Sequence, residues 1–249
     1  MFFLVFTLCA NAMSVGTIRL FIESDLAPGA EVAATPLQAH YLGVVMRRGV
    51  GDPVILFNGR DGEYLARISQ IKRDQARLAV DHQTRPQVCL REMSLAFAPL
   101  KRDATDLVIQ KATELGATAI YPVLTARSNT QRVNLDRFRA ITIEAAEQCE
   151  RMDLPILHQP VQLFQFLSSW PSDKPLAACI ERADVPRSPM ADAAARSATG
   201  LIVGPEGGFT STELDVMRRH SFLIAVSLGT LILRAETAAI AGLALLQAN

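Results

Sequence analysis

The residues best placed to do chemistry stand in two glycine-containing segments of the last fifth of the chain. Leu201-Ile-Val-Gly-Pro-Glu-Gly-Gly-Phe-Thr210 and Ser227-Leu-Gly-Thr-Leu-Ile-Leu-Arg-Ala-Glu-Thr237 each read as a short apolar strand running into a loop that opens a helix. Gly204, Gly207 and Gly208 are expected to permit positive φ and to leave bare backbone against a ligand, while Pro205 stiffens the turn. Thr210 and Glu213 have the spacing of a capping box, which predicts a helix over 211–220. A strand over 222–226 and an alanine-rich helix over 234–247 follow. Two ordinary strand-to-helix turns of an α/β domain would share these features. Two in succession, with one helix and one strand between them, suggest a single ligand site built from neighbouring loops.

Neither loop is a phosphate cradle of the G-x-x-x-x-G-K-[ST] or G-x-G-x-x-G kind, and Glu206 would repel a phosphate where one should bind. An acid in a glycine loop suits a neutral or cationic ligand, and S-adenosylmethionine, with its sulfonium and amino group, has that character. Further segments join the pattern: Lys101 to Gly116, ending Ile-Gln-Lys-Ala-Thr-Glu-Leu-Gly; Ala146-Glu-Gln-Cys-Glu-Arg151; and Val45-Met-Arg-Arg-Gly-Val-Gly-Asp52. With Gly204-Pro-Glu-Gly-Gly208 and Leu228-Gly-x-x-Ile-Leu-Arg-x-Glu-Thr237, they make the chain from about Thr17 onward resemble the RsmE family. These are small-subunit (16S) ribosomal RNA uridine-N3 methyltransferases of the SPOUT superfamily. Two departures stand out: Leu231 where the family usually has arginine, and Asp106 where it usually has glutamate.

The resemblance implies an S-adenosylmethionine-dependent enzyme that methylates N3 of a uridine, in a homodimer whose substrate is an assembled small ribosomal subunit. The implied cofactor-binding residues are Ile180, Ile202, Gly204, Pro205, Glu206, Gly207, Gly208, Ser227, Leu228, Gly229, Ile232 and Leu233. Arg234 would stabilise negative charge spreading onto the uracil oxygens, and Glu236 or Glu206 would take the N3 proton. RNA contacts are expected at Arg19, Arg47, Arg102, Arg127, Gln148 and Arg151, the loop around Arg127 also offering Asn129, Gln131 and Arg132. Related SPOUT enzymes act on the ribose 2′-oxygen or on guanine N1, and fold alone does not choose among them. A non-catalytic RNA-binding relative and a small-molecule enzyme are the other readings.

Around these residues the chain divides in two. Residues 17–88 hold short strands at 19–22, 53–57, 63–68 and 77–82, a helix over 36–46, and hairpin turn chemistry at Asn58-Gly59 and Asp61-Gly62. They read as a small β-barrel, which the resemblance identifies as a PUA-like RNA-binding module. From residue 89 strands alternate with helices, which implies a parallel sheet covered on both faces. The resemblance makes this α/β domain a SPOUT domain with a deep trefoil knot. Its first helix is expected to start at an Asp103 N-cap, stop at Gly116, and bury Ala104, Leu107, Val108 and Leu115, with Lys111 and Glu114 pairing it to a neighbour. A long helix over 135–151 follows.

Composition sets broader bounds. Lys plus Arg and Asp plus Glu balance at 25 each, so no strongly basic, sequence-blind nucleic-acid footprint is present. Cys9, Cys89, Cys149 and Cys179 are scattered without a CxxC or a histidine at ligand spacing, so no metal site is expected and the thiols read as reduced. Residues 1–12 imitate a signal peptide but lack a basic n-region. Residues 1–16 are therefore expected to be a disordered start-site extension of a cytoplasmic protein, with no membrane partner.

Overall fold

The computed structural model describes residues 17–128, 132–180, 188–190, 192, 195 and 197–248. The expected start-site extension, Asn129 and Gln131 lie outside these. The chain forms two compact units that meet in sequence between Gln87 and Val88.

The first unit is a five-stranded sheet of β1 (Ile18–Phe21), β2 (Glu31–Ala34), β3 (Pro53–Phe57), β4 (Glu63–Lys72) and β5 (Gln75–Arg85), ordered β1-β3-β4-β5-β2. Only the β1–β3 pair is parallel. Ala76, Leu78 and Val80 are buried between more exposed neighbours, the period-two pattern of a half-buried strand, and Leu78 and Val80 meet Leu20, Leu42, Leu56 and Ile68 in the core. Asn58 and Asp61 lock the β3–β4 turn: the Asp61 carboxylate accepts from Leu26 N at 2.8 Å and Asn58 Nδ2 at 2.7 Å. The bond from Leu26, then that from Asn58, hold its pKa below the ordinary value.

The helix expected over 36–46 is broken. A capping box of Thr35 and Gln38 starts α1 (Pro36–His40), which loosens into a π-turn over Tyr41–Val45. Arg47 then takes a left-handed φ of 53°, the conformation that commonly stops helices.

The second unit is an all-parallel sheet of β6 (Ser94–Phe97), β7 (Ala119–Leu124), β8 (Ile156–Leu157), β10 (Leu176–Cys179), β11 (Ser188–Pro189), β12 (Gly200–Val203) and β13 (Leu223–Ser227). Their order is β11-β13-β10-β12-β6-β7-β8, with β9 (Val161–Gln162) also on β7. Alternate residues of the central strands serve opposite faces. Leu95, Phe97, Ala177, Leu201 and Val203 join the core beneath α2 (Arg102–Glu114), α3 (Leu135–Gln148) and α6 (Ala235–Gln247). Ala96, Ala178 and Ile202 join the core beneath α4 (Leu163–Ser169) and α5 (Ser211–Met217). The buried parallel strands are continuous apolar runs because both faces are covered.

The small residues of α6 let it lie close on this sheet. A Cβ at Gly242 would come within 2.6 Å of Leu201, and Ala238 and Ala239 are buried beside it.

On α2 the N-cap is Lys101 rather than Asp103, and the buried stripe is turned from the expected one. Thr105, Val108, Ile109, Ala112 and Thr113 face inward, whereas Leu107 is 37% exposed. The two threonines can be buried because their hydroxyls are satisfied, by Leu100 N and O and by Ile109 O, a compensation that hydrophobic periodicity does not register. Lys111 pairs with Glu114 on the same helix, not with a neighbouring one. Helix α3 ends three residues short of the expected boundary, where Glu150 takes a φ of 60°.

Candidate active site

Strands β13, β10, β12, β6 and β7 lie side by side and run parallel. Ligands of open parallel sheets bind beyond the carboxyl ends of the strands, because the connecting loops converge there. In this chain those loops enclose a cavity of about 620 Å³. Cys179 and Ile180 enter it from β10, Val203 to Phe209 from β12, Ile232 to Ala235 from the segment after β13, Lys101 from the end of β6 and Arg127 from beyond β7.

The glycine loop is built differently from the expectation of three left-handed glycines. Only Gly208 has positive φ, at 70°. Gly204 is required by packing instead, since a Cβ there would lie 2.9 Å from the Phe209 ring. A Cβ on Gly207 would approach the Arg127 side chain at 3.3 Å, and Arg127 Nη1 donates to Gly207 O at 2.8 Å.

Glu213 ties the loop down. Its buried carboxylate accepts from Thr210 N at 2.7 Å and Thr210 Oγ1 at 2.9 Å, completing the capping box of α5, and from Ala126 N at 2.8 Å. The segment after β7 is thus clamped to the segment after β12 by two independent contacts. In the second loop, Gly229 has φ of 133° and the Ser227 hydroxyl donates to Gly229 O at 3.0 Å.

Lys101, Arg127 and Arg234 line the cavity, with Glu206 the one acid among its described lining residues. Arg234 is the N-cap of α6 and gives no side-chain capping bond; its side chain is 84% exposed and lies 3.9 Å from Glu236. Glu236 does not line the cavity, and among the described residues its Oε2 is buried without a hydrogen-bond partner.

Residues 88–247 match the RNA methyltransferase domain family, and residues 38–81 match the RNA methyltransferase PUA domain. The chain is 35% identical to the ribosomal RNA small subunit methyltransferase E of Rickettsia conorii, over 91% of this chain and 93% of that protein. It is 34% identical to the same-named protein of Synechocystis sp., over 96% of this chain and 80% of that one. The crystal structure of a ribosomal RNA small subunit methyltransferase E from Neisseria gonorrhoeae, bound to S-adenosyl methionine, superposes with a TM-score of 0.81 at 28% identity, covering 94% of this chain and 98% of that one. The chain belongs to this RNA methyltransferase family.

In this methyltransferase, Ile180, Gly204, Pro205, Glu206, Gly207, Gly208, Ile232 and Leu233 line the cavity. Ile202, Ser227, Leu228 and Gly229 do not. Ile202 is buried on the opposite face of the sheet with Ala96 and Ala178, and Leu228 packs against the α2 and α6 core.

The residues expected to touch RNA divide sharply. Arg47, Arg102, Arg127 and Gln148 are exposed. Arg19 is buried in the first unit, paired with Glu63, which Arg85 also holds through a 3.0 Å bond. Arg151 is buried too: its Nη1 donates to Thr113 O at 3.0 Å and Ala117 O at 2.8 Å, and its Nε to Asp153 at 2.6 Å. Both arginines therefore hold the fold and do not present their charge to a nucleic acid. Arg151 satisfies carbonyls at the C-terminal end of α2, where a cation is favourable.

Sequence reasoning missed Lys101, Cys179, Phe209 and Leu214 as cavity residues. Lys101 was findable, because it stands in the short connection that leaves the carboxyl end of a central parallel strand. Cys149, inside the Glu-Gln-Cys-Glu-Arg segment, is exposed and does not line this cavity.

Proposed function

We propose that this enzyme transfers a methyl group from S-adenosylmethionine to N3 of a uridine in 16S ribosomal RNA. The observation that carries the reading is one cavity at the carboxyl ends of adjacent parallel strands, walled by a glycine loop and edged by three cations. The residues present fit the cofactor: about 620 Å³ accommodates a ligand of that size, the Gly204–Gly208 backbone lies open to it, and Glu206 offers a carboxylate to its positive charge. The relatives named ribosomal RNA small subunit methyltransferase E and the S-adenosyl methionine-bound neighbour support the same substrate and donor.

When bound, S-adenosylmethionine supplies an electrophilic methyl group. The chain's own residues align and stabilise. Lys101, Arg127 and Arg234 draw the anionic RNA to the cavity mouth. Uracil N3 must lose its proton as it gains the methyl carbon, and the negative charge that develops spreads onto O2 and O4. Arg234, exposed in the cavity wall, stabilises that charge. Glu206 lines the cavity and takes the proton, directly or through a water. Glu236 does not line the cavity and stands 3.9 Å from the Arg234 guanidinium, so its part is to orient that group.

Two further features belong to this reading. The carboxyl-end loops of the second unit are threaded as a trefoil knot, consistent with α6 returning to pack on β12. The protein acts as a cytoplasmic homodimer on the small ribosomal subunit. The test is to incubate the enzyme with labelled S-adenosylmethionine and small subunits from a strain lacking this modification, then digest the RNA to nucleosides. Label in 3-methyluridine is expected; label in a ribose-methylated or guanine-N1-methylated nucleoside would overturn the N3 assignment.

A further inference from the structure

Helix α2 opens directly beyond β6 with Lys101 as an N-cap that makes no side-chain capping bond. Around this helix start lies a second cavity, of about 480 Å³, lined among others by Lys101, Arg102, Asp106, Arg132, Arg137 and Phe138. Lys101 also lines the glycine-loop cavity, so the two share a wall. Among the described lining residues, four cations face one carboxylate. Asp106 is committed to Arg137, whose Nε donates to it at 2.8 Å, and this contact is the first cause of its lowered pKa. Lys101 and Arg102 keep the lining positive after that pair is discounted. Asp103, the acid of the first helical turn, does not line it. Pro99, Leu100, Val133 and Phe138 give the wall an apolar part, beside Thr105 and Asn134.

This chemistry has no use for the methyl donor, because S-adenosylmethionine carries no phosphate and its own net charge is positive at the sulfonium. Cations beside an apolar wall suit a nucleotide instead, with the phosphate on the charges and the base face on the wall. We propose that this cavity is a second RNA subsite, which holds the nucleotide adjacent to the one entering the glycine-loop cavity and binds its phosphate through Lys101 and Arg102. The proposal rests on the methyltransferase reading for the identity of the neighbouring cavity. The subsite sets the register of the strand, so that one nucleotide only can present its base to the donor.

The test removes charge without touching the cofactor cavity. Arg102→Ala and Arg132→Ala, singly and together, alter exposed side chains and leave the fold intact. For the double variant, the KM for small subunits and the Kd for 16S ribosomal RNA by filter binding should rise about tenfold. The slope of log Kd against log salt should fall by about one for each cation removed. The kcat at saturating RNA and the calorimetric affinity for S-adenosylmethionine should hold within about twofold, since neither arginine contacts the donor site. Arg218→Ala, which removes a charge paired to Asp215 on the exposed side of α5, should change RNA binding less than either variant. Unchanged RNA affinity and salt slope in the double variant overturn the subsite, and so does a loss of S-adenosylmethionine affinity. Wild-type protein that binds the RNA but transfers no methyl group overturns the proposed reaction and not the subsite, which the binding measurements read by themselves.

Discussion

Arg234 has almost nothing to do for folding. Its side chain is 84% exposed, its one ionic contact is 3.9 Å long, and it occupies a helix N-cap where an acid or a hydroxyl would be more favourable. Arg234→Ala is therefore expected to leave the melting temperature and the S-adenosylmethionine affinity nearly unchanged. Methyl transfer should fall by about 100-fold, the scale of losing one charge-stabilising donor. Activity falling in step with stability would make the arginine structural. Gly204 shows the opposite logic, since a single methyl there would meet the Phe209 ring. Gly204→Ala should weaken S-adenosylmethionine binding by about tenfold or more in calorimetry, because the ring can move only by shifting the loop it anchors. Unaltered affinity would show that the loop tolerates the shift.

At the scale of elements, Arg151 tests how motif and structure divide. It closes the Glu-Gln-Cys-Glu-Arg segment on which an RNA contact was expected, yet it is buried and caps the C-terminal end of α2. Arg151→Ala removes the side-chain bonds to Thr113 O, Ala117 O and Asp153, so urea unfolding should show a loss of about 1–3 kcal/mol. RNA affinity of the folded variant should match wild type. An RNA-binding defect without a stability defect would return the residue to the nucleic-acid interface.

Glu63 plays the corresponding part in the first unit. Burial alone would raise its pKa, but bonds from Arg85, Arg19 and Thr84 outweigh burial and leave it lowered from 4.5. A carboxylate with a lowered folded pKa contributes stability that is complete above its unfolded value and disappears as pH falls through its folded value. Unfolding of this unit should thus grow easier as pH drops below about 4.5, and Glu63→Gln should flatten that dependence. The variant should also be less stable at neutral pH by about 3–5 kcal/mol, because Arg19 would stay buried without its charge partner. Denaturant titrations across the acid range check both statements.

At the scale of the whole molecule, the apolar character of α6 bears on assembly. Its small residues turned out to seat the helix on β12 within the chain, while Leu245 stays 41% exposed. Leu231 and Ile232, beside the cavity, are 75% and 63% exposed. A symmetric dimer would cover such apolar surface next to the site. Light scattering at micromolar concentration should give twice the chain mass, and a monomer would remove the dimer from the proposal. Leu231→Arg should leave that mass unchanged, since an exposed loop position can accept the charge.

What the sequence determined by itself was whatever depends on local pattern. The capping box at Thr210 and Glu213 was legible, as was the strand over 53–57, the alternation of strands and helices after residue 89, and the two glycine-containing loops as loops, because period, capping and turn chemistry act over a few residues. Tertiary structure alone decided which charges point outward. Arg19 and Arg102 look alike in a string of letters, but one meets Glu63, 44 positions away, and the other meets solvent. It also decided that Lys101 borders two cavities and that Gly204 yields to Phe209 and not to a positive φ. Those outcomes depend on strands far apart in the chain lying side by side, and no short window contains that information.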